Sequence, residues 1–128
     1  MGVILIVEDR SSNLAFLATA VGKLGYRSVA VGDGAKALAA LGVDRDGAAP
    51  EVPDVDAVFL DVRLPDLDGR EVARRVRAAG LTDLPIIAVT AMALAGDREA
   101  CLAAGMNDYL AKPLTVAQVG EALEKWVG

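Results

Sequence analysis

The stretch Ala57-Val58-Phe59-Leu60-Asp61-Val62-Arg63-Leu64-Pro65 decides how this chain is read. Four apolar residues in a row suit a strand buried on both faces. The run stops on a carboxylate, and a proline shortly after it ends any extended pairing. A strand of this kind presents Asp61 at the rim of a sheet. Three other apolar runs end on residues of related chemistry: 3–7 leads into Glu8-Asp9, 86–89 into Thr90, and 109–111 into Lys112-Pro113. Brought together, these ends make a metal-assisted phosphoryl-transfer site with Asp61 as nucleophile.

Outward from that stretch, five apolar runs alternate with five segments of helical character. This βαβαβαβαβα pattern implies an α/β fold, a doubly wound (βα)5 parallel sheet with helices on both faces. Leu14, Leu17, Val21 and Leu24 form one stripe of a first helix, with Ser11 or Ser12 as cap and Gly25 as stop. Residues 28–31 make a short second strand, and Asp33-Gly34 turns into a helix over 35–41. The Gly-, Pro- and Asp-rich stretch 42–56 is a surface insertion to which no chemistry is assigned. A third helix covers 70–79, with Val72 and Val76 facing in and Arg74, Arg75 and Arg77 on a solvated face. Pro85 opens the fourth strand, and a helix over 96–104 stops at Gly105. Thr115 caps the last helix, which turns Val116, Val119 and Leu123 to one side and carries Trp126 near its end.

The bulk numbers set limits. At 128 residues and 54% apolar the chain is expected to form one domain, 1–128, with a substantial core. A net charge of −5 speaks against nucleic acid as a partner, since that binding needs clustered Lys and Arg. No run approaches the ~20 residues of a membrane span, and nothing resembles a signal peptide. A single cysteine, Cys101, permits no internal disulfide; a reducing, cytoplasmic setting is expected, with Cys101 as a small apolar filler. There is no histidine, which excludes Ser-His or Cys-His catalysis and any histidine metal site. A phosphohistidine donor, if one is involved, must therefore come from another domain or chain.

Open parallel sheets bind ligands beyond the carboxyl ends of their strands, where strand order reverses. If the first and third strands flank that point, Glu8, Asp9 and Asp61 meet there, and three clustered carboxylates call for a cation. Oxygen-only ligands point to Mg²⁺. A carboxylate can carry phosphate as an acyl phosphate, and phosphoryl transfer asks mainly for alignment and charge neutralisation. Lys112 supplies a point charge for one phosphoryl oxygen and Thr90 a hydroxyl for another. Singly, a strand-end Asp or Thr is more often a turn or helix cap. Their joint placement after four apolar runs is what favours the site.

These motifs resemble those of response-regulator receiver domains, the phosphoacceptors of two-component signalling. The resemblance runs through Ile4-Leu5-Ile6-Val7-Glu8-Asp9, Leu60-Asp61-Val62-Arg63-Leu64-Pro65 with Asp68-Gly69, Pro85-Ile86-Ile87-Ala88-Val89-Thr90-Ala91, and Asp108-Tyr109-Leu110-Ala111-Lys112-Pro113. Gly96-Asp97-Arg98 and Ala104-Gly105-Met106-Asn107-Asp108-Tyr109 are similar to receivers attached to hybrid histidine kinases. It implies a flavodoxin-like sheet of order 2-1-3-4-5. Asp61 would be the phosphorylated residue and Asp9 the main Mg²⁺ ligand, with Glu8 acting largely through a metal-bound water and the Arg63 backbone carbonyl completing the protein's share. Thr90 and Lys112 would contact the phosphoryl group, and the Lys112–Pro113 bond would be cis.

The same resemblance implies a switch in which the Thr90 hydroxyl is drawn to the phosphoryl group and the Tyr109 ring moves inward. That would repack the surface of the fourth helix, fifth strand and fifth helix for a partner. The donor would be a histidine kinase or histidine-phosphotransfer domain, with no nucleic acid and no membrane contact. Ala91 leaves the pocket open to a bulky donor, while Arg63 and Met92 sit where the family varies and sets phosphate lifetime. A phosphatase of the haloacid dehalogenase type also uses an aspartate nucleophile, but needs an acid two residues later, where this chain has Arg63. A binding-only module needs none of the acid, hydroxyl and lysine positions filled. Gly32-Asp33-Gly34 matches neither glycine-rich nucleotide loop.

Overall fold

The run Val3–Val7 becomes the strand β1, and all five of its residues are buried. The structure is a computed structural model describing residues 2–43, 49–52, 54–91 and 94–127. After β1 come α1 (Ser11–Lys23), β2 (Arg27–Val31), α2 (Gly34–Ala40), β3 (Val55–Asp61) and α3 (Gly69–Ala78). The chain continues through β4 (Ile86–Thr90), α4 (Asp97–Ala103), β5 (Asp108–Ala111) and α5 (Val116–Trp126). The strands form one sheet in the order β2-β1-β3-β4-β5, each pairing parallel with its neighbours. This is the order expected above, and its reversal falls between β1 and β3.

Alternation along each strand divides the core in two. Leu5, Val7, Val58 and Leu60 pack with Leu38 of α2, Val72 and Val76 of α3, and Cys101 of α4. Ile4, Ile6, Phe59, Ile87 and Val89 pack with Leu17 and Val21 of α1 and with Val119 and Leu123 of α5. Both faces of the central strands are therefore covered, which is why their sequences are continuously apolar. Cys101 is a buried part of this packing, as expected.

Several local expectations are corrected. Neither Ser11 nor Ser12 caps α1: the N-cap position is Arg10, without a side-chain cap bond. The turn is held instead by Glu8, whose Oε2 accepts from the Arg10 N–H at 3.2 Å. Leu24 lies just past the end of α1 and is 38% exposed, so the stripe ends at Val21. Val116 is 36% exposed in the opening turn of α5; the inward stripe begins at Val119 and runs through Ala122 and Leu123. Thr115 does cap that helix, in a reciprocal arrangement with Gln118.

Arg77 is not on a solvated face with Arg74 and Arg75. Its guanidinium donates to Gly105 O at 2.9 Å, to Leu81 O at 2.5 Å and to Asn107 Oδ1 at 2.8 Å. The same Asn107 oxygen accepts from the Ile86 N–H at 2.8 Å. One side chain thus ties the end of α3 to the α4–β5 turn, and Gly105 (φ 107°) permits it, since a Cβ there would lie 2.7 Å from Arg77 Cγ. Of the insertion expected over 42–56, residues 44–48 and 53 lie outside the described residues. The described part has work to do: Val43, Glu51 and Val52 donate their N–H groups to Leu38, Ala39 and Ala40 carbonyls, closing the end of α2.

Candidate phosphoryl-transfer site

The strand registers bring the polar ends level. Val7 pairs with Leu60, so Glu8 and Asp61 stand side by side, one residue further along their strands. Asp61 pairs with Val89, which puts Thr90 one step beyond it, and Thr90 pairs with Ala111, which puts Lys112 one step beyond that. The Lys112 N–H closes the row on Thr90 O at 2.7 Å. The Lys112–Pro113 peptide bond is cis, as expected.

Carboxylate oxygens of Glu8, Asp9 and Asp61 all lie within 4.8 Å of one another. Glu8 and Asp61 are buried, at 1% and 6% exposure, whereas Asp9 faces solvent. Lys112 Nζ donates to Glu8 Oε1 and lies 3.5 Å from Asp61 Oδ2. The Arg63 N–H donates to Asp61 Oδ1 at 3.0 Å. One cation does not balance three acids, and Asp61 registers the deficit. Burial, then the neighbouring Glu8, pushes its carboxyl up to about 6, against the Arg63 N–H and the Lys112 charge. Glu8 moves the other way: burial raises it, but its bonds with Asp61, Lys112 and the Arg10 N–H outweigh that and leave it low.

The chain leaves β3 in a close-packed turn. Val62 N–H bonds to Val89 O, Gly69 N–H bonds to Val62 O at 2.8 Å, and Arg63 forms an antiparallel bridge with Asp68. A Cβ on Gly69 would stand 2.4 Å from Asp61 O, so only glycine lets α3 start this near the acid. Asp68 caps α3 by accepting from the Arg70 N–H at 2.8 Å and pairs with the Arg70 guanidinium. An open cleft over the acids is lined by Asp9, Arg10, Asn13, Asp61, Arg63, Ala91 and Lys112.

The matching family model is that of the response regulator receiver domain, and it covers residues 4–124. The chain belongs to this family. The receiver is similar to the receiver domain of sensor histidine kinase PA1611 from Pseudomonas aeruginosa PAO1, solved with a magnesium ion coordinated in its active site cleft. The two share 44% identity over 100% of this chain and 99% of that one, with a TM-score of 0.82. It is also 38% identical to sensor histidine kinase RcsC of Escherichia coli K12 over 121 residues, 94% of this chain. Sensor histidine kinase GacS of Pseudomonas protegens is 34% identical over 98% of this chain. The receiver spans only 12% and 13% of the lengths of those two relatives.

Of the residues named from the sequence, Glu8, Asp9, Asp61, Arg63 and Lys112 gather around the cleft, and Thr90 stands at its strand end beside them. Met92 lies outside the described residues. Tyr109 stands on β5 with its hydroxyl already buried and without a hydrogen-bond partner; burial raises that phenol above its ordinary value. Three participants in the surroundings were not legible beforehand. Asp66 accepts three backbone N–H bonds, two of them from the start of α2. Asn13 lines both the acidic cleft and an apolar notch with Phe16, Leu17, Pro113 and Leu114. Asp108 accepts from Trp126 Nε1 at 2.9 Å and lies 3.9 Å from Arg98 Nη1, bridging α5 and α4 across the start of β5. Among the described residues, no helix is long and apolar enough to cross a membrane.

Proposed function

We propose that the chain is a Mg²⁺-dependent phosphoacceptor that takes a phosphoryl group from a phosphohistidine onto Asp61 and signals through the surface formed by α4, β5 and α5. The observation that carries this reading is the meeting of three acids and one ammonium at the carboxyl edge of the sheet. The donor set fits a hard cation: all oxygen, with one exposed acid to leave room for water and a phosphate oxygen. Asp9, Asp61 and the Arg63 carbonyl would hold it, with Glu8 behind. The ion, when bound, neutralises the acids and the charge gathering on the phosphoryl oxygens.

The protein's part is alignment. An Asp61 carboxylate oxygen attacks phosphorus while the P–N bond to the donor breaks and its electron pair returns to the imidazole. The product is an acyl phosphate on Asp61. Lys112, now on Glu8 and 3.5 Å from Asp61, moves its charge to a phosphoryl oxygen, and Thr90 donates its hydroxyl to another. Hydrolysis of the acyl phosphate in the same cleft resets the domain, so the chain catalyses both halves of its own cycle. The donor is a histidine kinase or a histidine-phosphotransfer domain.

Incubation with Mg²⁺ and acetyl phosphate is expected to add one phosphoryl group, read as a single mass increment. Omission of Mg²⁺ or Asp61→Asn removes it. A label that persists at full yield in Asp61→Asn overturns the assignment of the acceptor.

A further inference from the structure

The segment after Asp61 carries the Arg63 carbonyl, and its path is set from three sides. At its start the Arg63 N–H is held by Asp61 Oδ1, and at its end Gly69 N–H returns to Val62 O. Between them Asp66 reaches to a distant part of the chain. Its Oδ1 accepts from the Gly34 N–H at 2.8 Å and the Leu67 N–H at 2.9 Å, and its Oδ2 accepts from the Ala35 N–H at 2.9 Å. Asp33 Oδ1 takes the next N–H of α2, from Lys36, at 2.8 Å. Packing follows the polar contact closely: a Cβ on Gly34 would stand 3.0 Å from Leu67 Cβ and from Val72 Cγ2.

Helix α2 has seven residues and its own cap in Asp33. The second carboxylate comes from 31 and 32 positions away and belongs to the β3–α3 loop. Since α2 is anchored in the core by Ala37, Leu38 and Ala40, the contact seats the loop on a fixed support.

We propose that Asp66 is a positioning residue for the metal seat: by fastening the β3–α3 loop to α2 it holds the Arg63 carbonyl in line with Asp9 and Asp61. The inference rests on reading those residues as the Mg²⁺ site. Mg²⁺ accepts little departure from octahedral geometry, so a backbone ligand on an unanchored loop binds it poorly. Groups that only orient ligands commonly alter metal affinity 10- to 100-fold.

The test is Mn²⁺ binding, followed by the paramagnetic resonance of the free ion with Mg²⁺ as competitor, in the wild type, Asp66→Ala and Asp33→Ala. Both variants remove one carboxylate and one cap from the same helix end, and urea unfolding registers that shared loss. Only Asp66→Ala releases the loop from α2. It is expected to weaken Mn²⁺ and Mg²⁺ binding roughly 10-fold, while Asp33→Ala binds as the wild type does. Asp66→Asn keeps one acceptor oxygen, serves as the second variant should the alanine protein fail to fold, and is expected to fall between. Wild-type affinity in the Asp66 variants, or equal weakening in Asp33→Ala, overturns the inference and leaves Asp66 a helix cap. A wild type that binds neither ion overturns the Mg²⁺ reading itself.

Discussion

Asp61 is an acid held in an unfavourable place. It is buried, it faces Glu8 and Asp9, and Lys112 gives its close contact to Glu8. In metal-free protein the neutral isostere should therefore be the more stable one. Each unit of pKa displacement corresponds to ~1.4 kcal/mol, so Asp61→Asn is expected to raise metal-free stability at neutral pH by about 1–3 kcal/mol in urea unfolding. A destabilised Asp61→Asn protein would mean that Lys112 and the Arg63 N–H already satisfy the charge. The capping acid of α3 obeys the opposite sign. Asp68 is held below the usual carboxylate range by its bond to the Arg70 side chain, against slight burial and with help from the Arg70 N–H. A depressed acid stabilises the fold above its unfolded pKa and loses that contribution as pH falls. Acid titration of stability below about pH 4 is expected to be steeper in the wild type than in Asp68→Asn. Equal slopes would show that the Arg70 pairing, which is exposed, is screened to nothing.

Among the elements, the apolar runs were legible because a strand buried on both faces leaves a local record, and so were the polar residues that end them. Asp61, Thr90 and Lys112 each follow directly on such a run, and the parallel register does the rest. Residues whose partners lie far off left no such record. Asp66 meets Gly34 and Ala35 across 32 and 31 positions, and Arg77 meets Gly105 and Asn107 across 28 and 30. In sequence, Arg77 is one of four arginines on a polar helix, and nothing local separates it from Arg74 and Arg75. Pro65 marked where the chain leaves the strand, and an acid beside such a turn often takes backbone N–H groups, but nothing local says that Asp66 takes those of Gly34 and Ala35. The α1 cap failed for a related reason: the serines suit the role, yet Glu8, placed by the sheet, already holds that turn. The Arg77 clamp has a measurable weight. Arg77→Met keeps the stem, strands the Gly105 and Leu81 carbonyls and leaves Asn107 Oδ1 with the Ile86 N–H alone, and is expected to cost about 1–3 kcal/mol in urea unfolding. A cost below that range would show that water replaces the guanidinium readily.

At the scale of the whole molecule, the site and the surface proposed for partner binding are joined through β5, which ends at the cleft and starts between α4 and α5. Trp126 reports on that start, because its indole N–H is bonded to Asp108, the residue before Tyr109. As the sole tryptophan, it is expected to change its emission when acetyl phosphate and Mg²⁺ are added, and to stay constant in Asp61→Asn. An unchanged spectrum on full phosphorylation would place the switch elsewhere than the α4-β5-α5 face.

The level strand ends described above carry a further consequence. Glu8 and Asp61 are separated by most of the first half of the chain and meet only when β1 and β3 pair in register. An unfolded or half-zipped chain offers the ion no comparable set of oxygens. Free Mg²⁺ would thus act as a thermodynamic ballast for the intact sheet, adding about 1.4 kcal/mol when present at ~10 times its Kd. Melting of the wild type should then shift upward with Mg²⁺ concentration as one cooperative transition. The ionic content of the surrounding solution, and not the chain alone, would set how much of the domain is folded and ready to receive a signal.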